Sequence, residues 1–404
     1  MSWHSLCRFL LYDTMTMTMP RTEATTRHAL ATFYFLFFSL VGCILPFWGL
    51  YLQHRGFDAE EIGGLLAGFS MIRIVAPNLW AYWGRHFHSP LGMARLAGGL
   101  APLLFTLIWL AEGFWQVLLV MLTYGFFWSA MLPQYEVMTM RVIANRVEDY
   151  SRIRVWGSVG FVITVLLLGT LFDFYSISWL PVIMLSLMLA ILSNTYKISA
   201  ASPPKDEEKV HSSFFGTMAS GPVLIFLLVN MLLQVSHGPL YTFYSIYLEQ
   251  MGYDAAMIGV LWAIGVAAEV WLFWKIRWFL AIFSLRHWLL LSLLVTTVRW
   301  LMIAWVPDSF VVLVLAQLFH AFSFAMLHAV CIRYVPVLFP NELQGRGQAL
   351  FSAAGFGLGG ALGAWFSGLL WESMGGSLVF TLAALSSLTA LLLAWKGLDV
   401  KVEN

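Results

Sequence analysis

The sequence predicts an all-α membrane protein, with twelve transmembrane helices in two pseudo-symmetric six-helix bundles. Three observations lead there. The first is composition: of 404 residues, 60% are hydrophobic and only 11% charged, with a mean hydropathy of +0.80. No soluble core needs that much apolar surface, whereas many membrane spans do. The second is length, since a span takes roughly 20 apolar residues and the chain divides into twelve such stretches with short joints. The third is an internal repeat. Tyr51-Leu-Gln-His-Arg-Gly-Phe-Asp-Ala-Glu-Glu-Ile-Gly63 returns 196 positions later as Tyr247-Leu-Glu-Gln-Met-Gly-Tyr-Asp-Ala-Ala-Met-Ile-Gly259. Each copy joins two long apolar stretches, so each is the same loop in two equivalent halves.

The elements follow in order. Residues 1–28 form a disordered tail or a misassigned start, with the real start at Met15, Met17 or Met19. The apolar run Cys7–Tyr12 is too short for a signal peptide, and no small-residue cleavage site follows it. The first bundle, 29–197, holds spans near 29–53, 60–83, 92–111, 115–140, 153–173 and 177–197. A polar linker, 198–218, carries Pro203-Pro204-Lys-Asp-Glu-Glu-Lys209. The second bundle, 219–396, holds spans near 219–248, 256–275, 287–306, 310–334, 348–371 and 376–395, and residues 397–404 form a cytoplasmic tail.

Lys and Arg set the orientation. With both termini in the cytoplasm, every one of them falls on the cytoplasmic side except Arg55, Arg73 and Arg299. Other classes drop out. A net charge of +1 gives no nucleic-acid surface, and Cys7, Cys43 and Cys331 are too few and scattered for a disulfide scaffold or a metal site. No nucleophile–base arrangement stands out, so neither an enzyme nor a cofactor is expected. Gly355, Gly357, Gly359, Gly360 and Gly363 sit inside an apolar span and read as close helix packing rather than phosphate binding.

The informative residues are the charges that break the apolar pattern, because a charge at a helix centre costs about 2.5–3.5 kcal/mol on insertion scales. Glu269 lies about 18 Å into the eighth helix and Arg299 about 18 Å into the ninth, by a rise of 1.5 Å per residue; His320 in the tenth is nearly as deep. An unpaired buried carboxylate neutralises, whereas one beside a guanidinium stays ionised. Moving between those situations would take up and release a proton, with His320 sharing or relaying it; a fixed Glu269–Arg299 pair that merely locks helices is the alternative. The repeat offset places Arg73 opposite Glu269. Arg73 reads as a substrate-facing cation, or as an arginine snorkelling to the headgroups. Glu136 lies nearer the cytoplasmic end, where it lines the cavity or pairs with Arg152 or Arg154 as an inner gate. Gln234 and His237 need partners in lipid, and His237, Tyr241 and Tyr244 share one helix face. Trp48, Tyr51, Trp128, Trp262 and Trp300 offer ring faces, although most aromatic residues of such a chain belong to packing or interfacial belts. His328 reads as a helix-packing residue.

Several stretches resemble the 3-phenylpropionate (hydrocinnamate) permease family of the major facilitator superfamily, which is related to lactose-permease-like and nucleoside:proton symporters. They are Leu45-Pro46-Phe47-Trp48, Arg154-Val-Trp-Gly-Ser-Val159, Gln234…His237…Tyr241…Tyr244…Ile246-Tyr247, Gly265-Val-Ala-Ala-Glu269-Val, Val298-Arg299-Trp300 and His320…His328…Arg333-Tyr334. The chain departs from the superfamily's Gly-x-x-x-Asp-Arg-x-Gly-Arg-Lys loop: only Gly84-Arg85-His86 survives, with Ala81 at the Asp position, so the gating role of Arg85 is weakened. Pro133-Gln-Tyr-Glu136 resembles a family Pro-Leu-Thr-Asp pattern with Glu for Asp.

The resemblance implies a secondary transporter of the bacterial inner membrane that imports a small aromatic carboxylate by proton symport with alternating access, as a monomer. Charge counting agrees. Arg73 and Arg299 balance Glu136 and Glu269, so a bound carboxylate calls for one proton. A neutral nucleoside or oligosaccharide carried with a proton suits the same groups, and a non-translocating receptor or scaffold is the alternative of another class.

Overall fold

The computed structural model describes residues 21–84, 89–143, 147–198, 218–339 and 343–398, with the side chains of 21–24, 73, 77, 78, 81, 147 and 148 outside that description. Among the described residues there is no strand. In chain order the helices are α1 (Arg21–His54), α2 (Ala59–Gly84), α3 (Pro90–Phe105, continued by a 3-10 turn to Trp109), α4 (Phe114–Val142), α5 (Val147–Phe174) and α6 (Leu180–Thr195). Then come α7 (Gly221–Gln250), α8 (Ala255–Ile282), α9 (Leu285–Trp305) and α10 (Phe310–Leu338), the last with a π-helical segment at Ala321–Met326. The final stretch, Gln344–Gly397, has a π segment at Ala353–Gly359 and breaks at Gly375 (φ 75°, ψ 163°) into α11 (344–374) and α12 (376–397).

Ten helices among the described residues are long and apolar enough to cross a membrane, with Gln344–Gly397 counted as one. The expected twelve correspond to these ten with that stretch divided at Gly375 and the 26-residue α2 added. Boundaries differ from expectation by several residues at α1, at α8 and at α5, which begins at Val147 rather than 153. Helix α1 begins at Arg21, so the last part of the expected tail is helical. Helix α8 runs on to Ile282, past the charged Lys275 and Arg277. Those side chains sit among the exposed Trp271, Trp274 and Trp278, and Lys275 lies 4.4 Å from the Trp274 ring centroid, an interfacial belt in which a helix keeps its charges without ending. The proposed start codons, Arg85, most of the linker and residues 399–404 lie outside the described residues.

The repeated sequence folds twice into the same loop. In the first copy Gly56 (φ 90°) follows the helix end, with Phe57 N–H donating to Leu52 O at 3.2 Å and Gly56 N–H to Gln53 O at 2.9 Å. In the second, Gly252 (φ 86°) does the same, with Tyr253 to Leu248 at 3.1 Å and Gly252 to Glu249 at 2.9 Å. This is a Schellman ending, whose left-handed residue must lack a Cβ. An aspartate then opens the next helix: Asp58 accepts from Glu61 N–H at 2.8 Å and Asp254 from Met257 N–H at 2.7 Å.

Within the first half α1 packs on α5 and α6, and α4 on α3 and α2; within the second, α7 and α9 pack on 360–397 and α10 packs on α8 and α9. The halves meet most extensively along two seams, α2 against α11 and α5 against α8, and α1 also touches α7. Matched glycines of the repeat make both seams close. A Cβ on Gly63 would lie 2.7 Å from Gly368 Cα, and one on Gly259 would lie 2.3 Å from Val165 O. The apolar core is divided unequally. At the end bearing the repeat loops, one continuous core takes residues from both halves, among them Trp48, Phe69, Val165, Tyr244, Trp262, Ala364 and Trp371. At the far end the core separates in two, one part drawn only from residues 29–198 and the other only from 223–398. The halves are thus joined at the repeat-loop end and parted at the far end.

Candidate functional site

The polar residues of α8, α9 and α10 converge inside the second half. His320 is the last residue before the π segment of α10, and its Nε2 lies 2.6 Å from Glu269 Oε1, with side-chain exposures of 8% and 16%. At that separation one of the two atoms carries the proton that joins them. Arg299 is fully buried and donates through Nε to Ala316 O at 2.9 Å, through Nη1 to Ser323 Oγ at 3.0 Å and through Nη2 to Gln317 Oε1 at 3.2 Å. All three acceptors are on α10, and the guanidinium carbon stands 4.5 Å from the Trp300 ring centroid. The Glu269–Arg299 ion pair weighed from the sequence is therefore replaced by two separate arrangements, a Glu269–His320 pair and an arginine held by neutral acceptors. The π segment explains the exchange. It inserts a residue into the turn and re-aims the side chains beyond it, which brings Ser323 under the guanidinium while His320 faces α8.

Helix α7 closes the cluster. Trp300 Nε1 donates to Ser236 Oγ at 3.1 Å, and Ser236 donates to Leu233 O at 2.6 Å. His237 Nδ1 lies 2.9 Å from the same carbonyl, so Nδ1 carries the proton there and Nε2 is left as an acceptor. The His237 ring meets Trp300 edge-on at 4.9 Å, stacks on Tyr241 at 6.0 Å and stands 6.3 Å from His320. Tyr241 and Tyr244 both reach Trp262, at 6.4 and 6.0 Å. Four buried polar atoms of this cluster have no hydrogen-bond partner: His237 Nε2, Tyr244 Oη, Gln317 Nε2 and His320 Nδ1. Each leaves a donor or acceptor open to an exchangeable partner such as a proton, water or ligand.

Other predicted residues lie apart from this cluster. Gln234 is buried against Gly355 and Gly359 of α11. Glu136, on α4, forms no ion pair with Arg152 or Arg154 within 4 Å; Arg154 instead lies 4.0 Å from the Phe38 ring centroid and 5.4 Å from that of Tyr34. The local reason is the aromatic face of α1, which supplies Phe38 and Tyr34 within reach of α5. Arg73 is placed on α2 by its backbone, and its side chain is outside the described residues. Trp48 is buried in the shared core beside Tyr51, and Trp128 stacks on Phe37 at 4.9 Å. His328 stacks along α10 on Phe324 at 6.3 Å. Sequence reasoning missed Gln317, Ser323 and Ser236. Gln317 had a usable signal, an amide one turn before His320 in an apolar helix, since an amide in lipid needs a partner.

Long apolar helices in two joined halves with a buried carboxylate–imidazole pair between helices are the architecture of a membrane carrier. The chain belongs to the MFS_1 like family, whose model matches residues 28–382. It is 30% identical over 379 residues to a probable 3-phenylpropionic acid transporter of Escherichia coli (strain K12), covering 90% of this chain and 96% of that protein. It is 25% identical over 380 residues to the maltose permease of Geobacillus stearothermophilus, covering 90% and 93%. The crystal structure of the nucleoside transporter NupG superposes with a TM-score of 0.80 at 17% identity, covering 93% of this chain and all of that one. The protein is a multi-pass secondary transporter of the major facilitator type, and its relatives are transporters rather than enzymes.

Proposed function

We propose that this transporter imports a small aromatic carboxylate, 3-phenylpropionate or a close analogue, together with protons. The observation that carries the reading is the 2.6 Å Glu269–His320 contact set beside the ring faces of His237, Tyr241 and Trp262. A carboxylate and an imidazole in contact hold one shared proton and accept a second, which is the capacity that coupling needs. The adjoining rings suit a flat apolar substrate, and the relative named for 3-phenylpropionic acid points the same way. In this scheme Glu269 and His320 exchange the proton and Arg299 positions α10. His237, Tyr241 and Tyr244 line the ring site, with Gln234 supporting it from the α11 side. Arg73 and Glu136 belong to the half that meets the carboxylate, and Arg152, Arg154 and Arg85 to the far-end gate. The two bundles, 29–197 and 219–396, rock as a monomer in a bacterial inner membrane with both termini cytoplasmic. The far end, where the core is split, then faces inward.

The test is uptake of labelled 3-phenylpropionate into proteoliposomes with and without an inward proton gradient. Accumulation that depends on the gradient supports both substrate and coupling, and a flat trace from folded protein removes this substrate. One observation favours a second reading, a neutral nucleoside or oligosaccharide. Arg299 is buried and committed to three acceptors on α10, which leaves a carboxylate dependent on Arg73. Competition by neutral sugars or nucleosides, with none by aromatic acids, would select it.

A further inference from the structure

The strongest feature outside the buried cluster lies at the repeat-loop end, where two carboxylates cross between the halves. Asp173 at the end of α5 accepts from the backbone N–H groups of Ala255 at 2.8 Å and Ala256 at 3.3 Å, the first residues of α8. Glu372 near the end of α11 accepts from the N–H of Ala59, the first residue of α2, at 3.4 Å. The two carboxylates are 199 positions apart, and each caps the helix that follows one copy of the repeated loop. Both helices already have a cap of their own, Asp58 on the third N–H of α2 and Asp254 on the third of α8. A helix start leaves four N–H groups unpaired. The helix's own aspartate takes one, and the other half's carboxylate takes the first of the remainder in α2 and the first two in α8, at the positive end of each helix dipole.

We propose that Asp173 and Glu372 are paired gating residues, a symmetric latch that holds the repeat-loop end closed and sets how long the carrier rests with its far end open. Three features converge on this. The contacts join opposite halves, so any parting of α5 from α8 or of α2 from α11 breaks them. They lie a turn or so from the close glycine crossings Gly63–Gly368 and Gly259–Gly169, so the carboxylates hold seams whose backbones touch only when shut. The shared core lies at this same end. Both carboxylates are exposed, so on opening water replaces each contact at modest cost, and the latch is releasable within a transport cycle. The inference rests on the alternating-access reading and is independent of the substrate.

The test is a distance measurement between spin labels on the purified full chain in lipid nanodiscs, with Cys7, Cys43 and Cys331 replaced by alanine. One label pair, Tyr175→Cys with Met251→Cys, spans the α5–α8 seam; a second, Glu60→Cys with Ser373→Cys, spans the α2–α11 seam. A third, Ser151→Cys with Trp278→Cys, reports the far end. Asp173→Asn and Glu372→Gln remove the charge but keep an acceptor, and Asp173→Ala and Glu372→Ala remove both. The expected result is a longer-distance population at both seams with a matching shorter one at the far end, growing from wild type through the amides to the alanines. The open-to-closed ratio should rise about two- to fivefold per carboxylate. Unchanged distances in the double alanine variant would overturn the latch. So would lengthening at all three pairs, which reports a loosened fold. Neither readout involves a transported compound, so a failure of 3-phenylpropionate uptake leaves this result standing.

Discussion

Glu269 and Arg299 are both buried charges of the second half, yet their surroundings assign them different work. Glu269 has a single titratable neighbour in contact, His320, so removing its charge should disable proton exchange while leaving the fold intact. Glu269→Gln is expected to abolish gradient-driven accumulation and spare counterflow of substrate against substrate; loss of both at normal expression would reassign Glu269 to structure or substrate binding. Arg299 answers three acceptors on one helix. Lysine cannot reproduce that planar fork. Arg299→Lys should therefore lower thermal stability, by about 1.5–3 kcal/mol for each charge-assisted hydrogen bond lost, before any effect on coupling is read. A thermal unfolding midpoint equal to wild type would show that the guanidinium is not the brace of α10. For Arg73 the expectation concerns selectivity. Arg73→Gln should raise the half-saturation concentration for aromatic acids about tenfold or more, the loss of a charge-assisted pair, and leave neutral competitors unaffected. Equal losses for both would remove its anion-gripping role.

At the level of elements, the glycines of the seams and the π segments do the shaping. A methyl on Gly238 of α7 would lie 2.2 Å from the Gly363 carbonyl carbon of α11, and backbone cannot yield as a side-chain tip does. Gly238→Ala should cost about 1–3 kcal/mol by overpacking, whereas Gly99→Ala, with nothing within 4 Å of the new methyl, should be neutral or slightly stabilising by helix propensity. Unfolding curves of the two variants side by side check this, and equal behaviour would mean that α7 and α11 are not in fixed contact. The spans themselves were legible in the sequence because each is a local property: twenty-odd apolar residues pay little to enter lipid wherever they sit. The π turn at Ala321–Met326 was not legible. Nothing in Ala-Phe-Ser-Phe-Ala-Met forbids an α-helix, and the contacts that accompany the irregularity, Arg299 with Ser323 inside it and Glu269 with His320 just before it, come from other helices.

For the whole molecule, the expectation from the distribution of Lys and Arg is that the far end, where α1 starts and α12 stops, faces the cytoplasm. A protease site added after Asn404 should resist cleavage in right-side-out vesicles and yield to it in inverted ones; the reverse pattern would turn the protein over and make the latched end the inner one. Sequence alone determined the helical class, the two-fold repeat, the loop that closes each copy, and the placing of Glu269, Arg299 and His320 inside apolar helices. These follow from per-residue transfer free energies and short-range capping, which need no knowledge of distant neighbours. Tertiary structure decided the rest: that Glu269 meets His320 and Arg299 meets Ser323, that Arg154 packs on the ring of Phe38, and that Asp173 and Glu372 cap helices of the opposite half. Those choices join residues tens to hundreds of positions apart. They depend on how whole helices rotate and cross, and on which end of the molecule is shut, a balance of packing between halves that no single stretch of chain encodes.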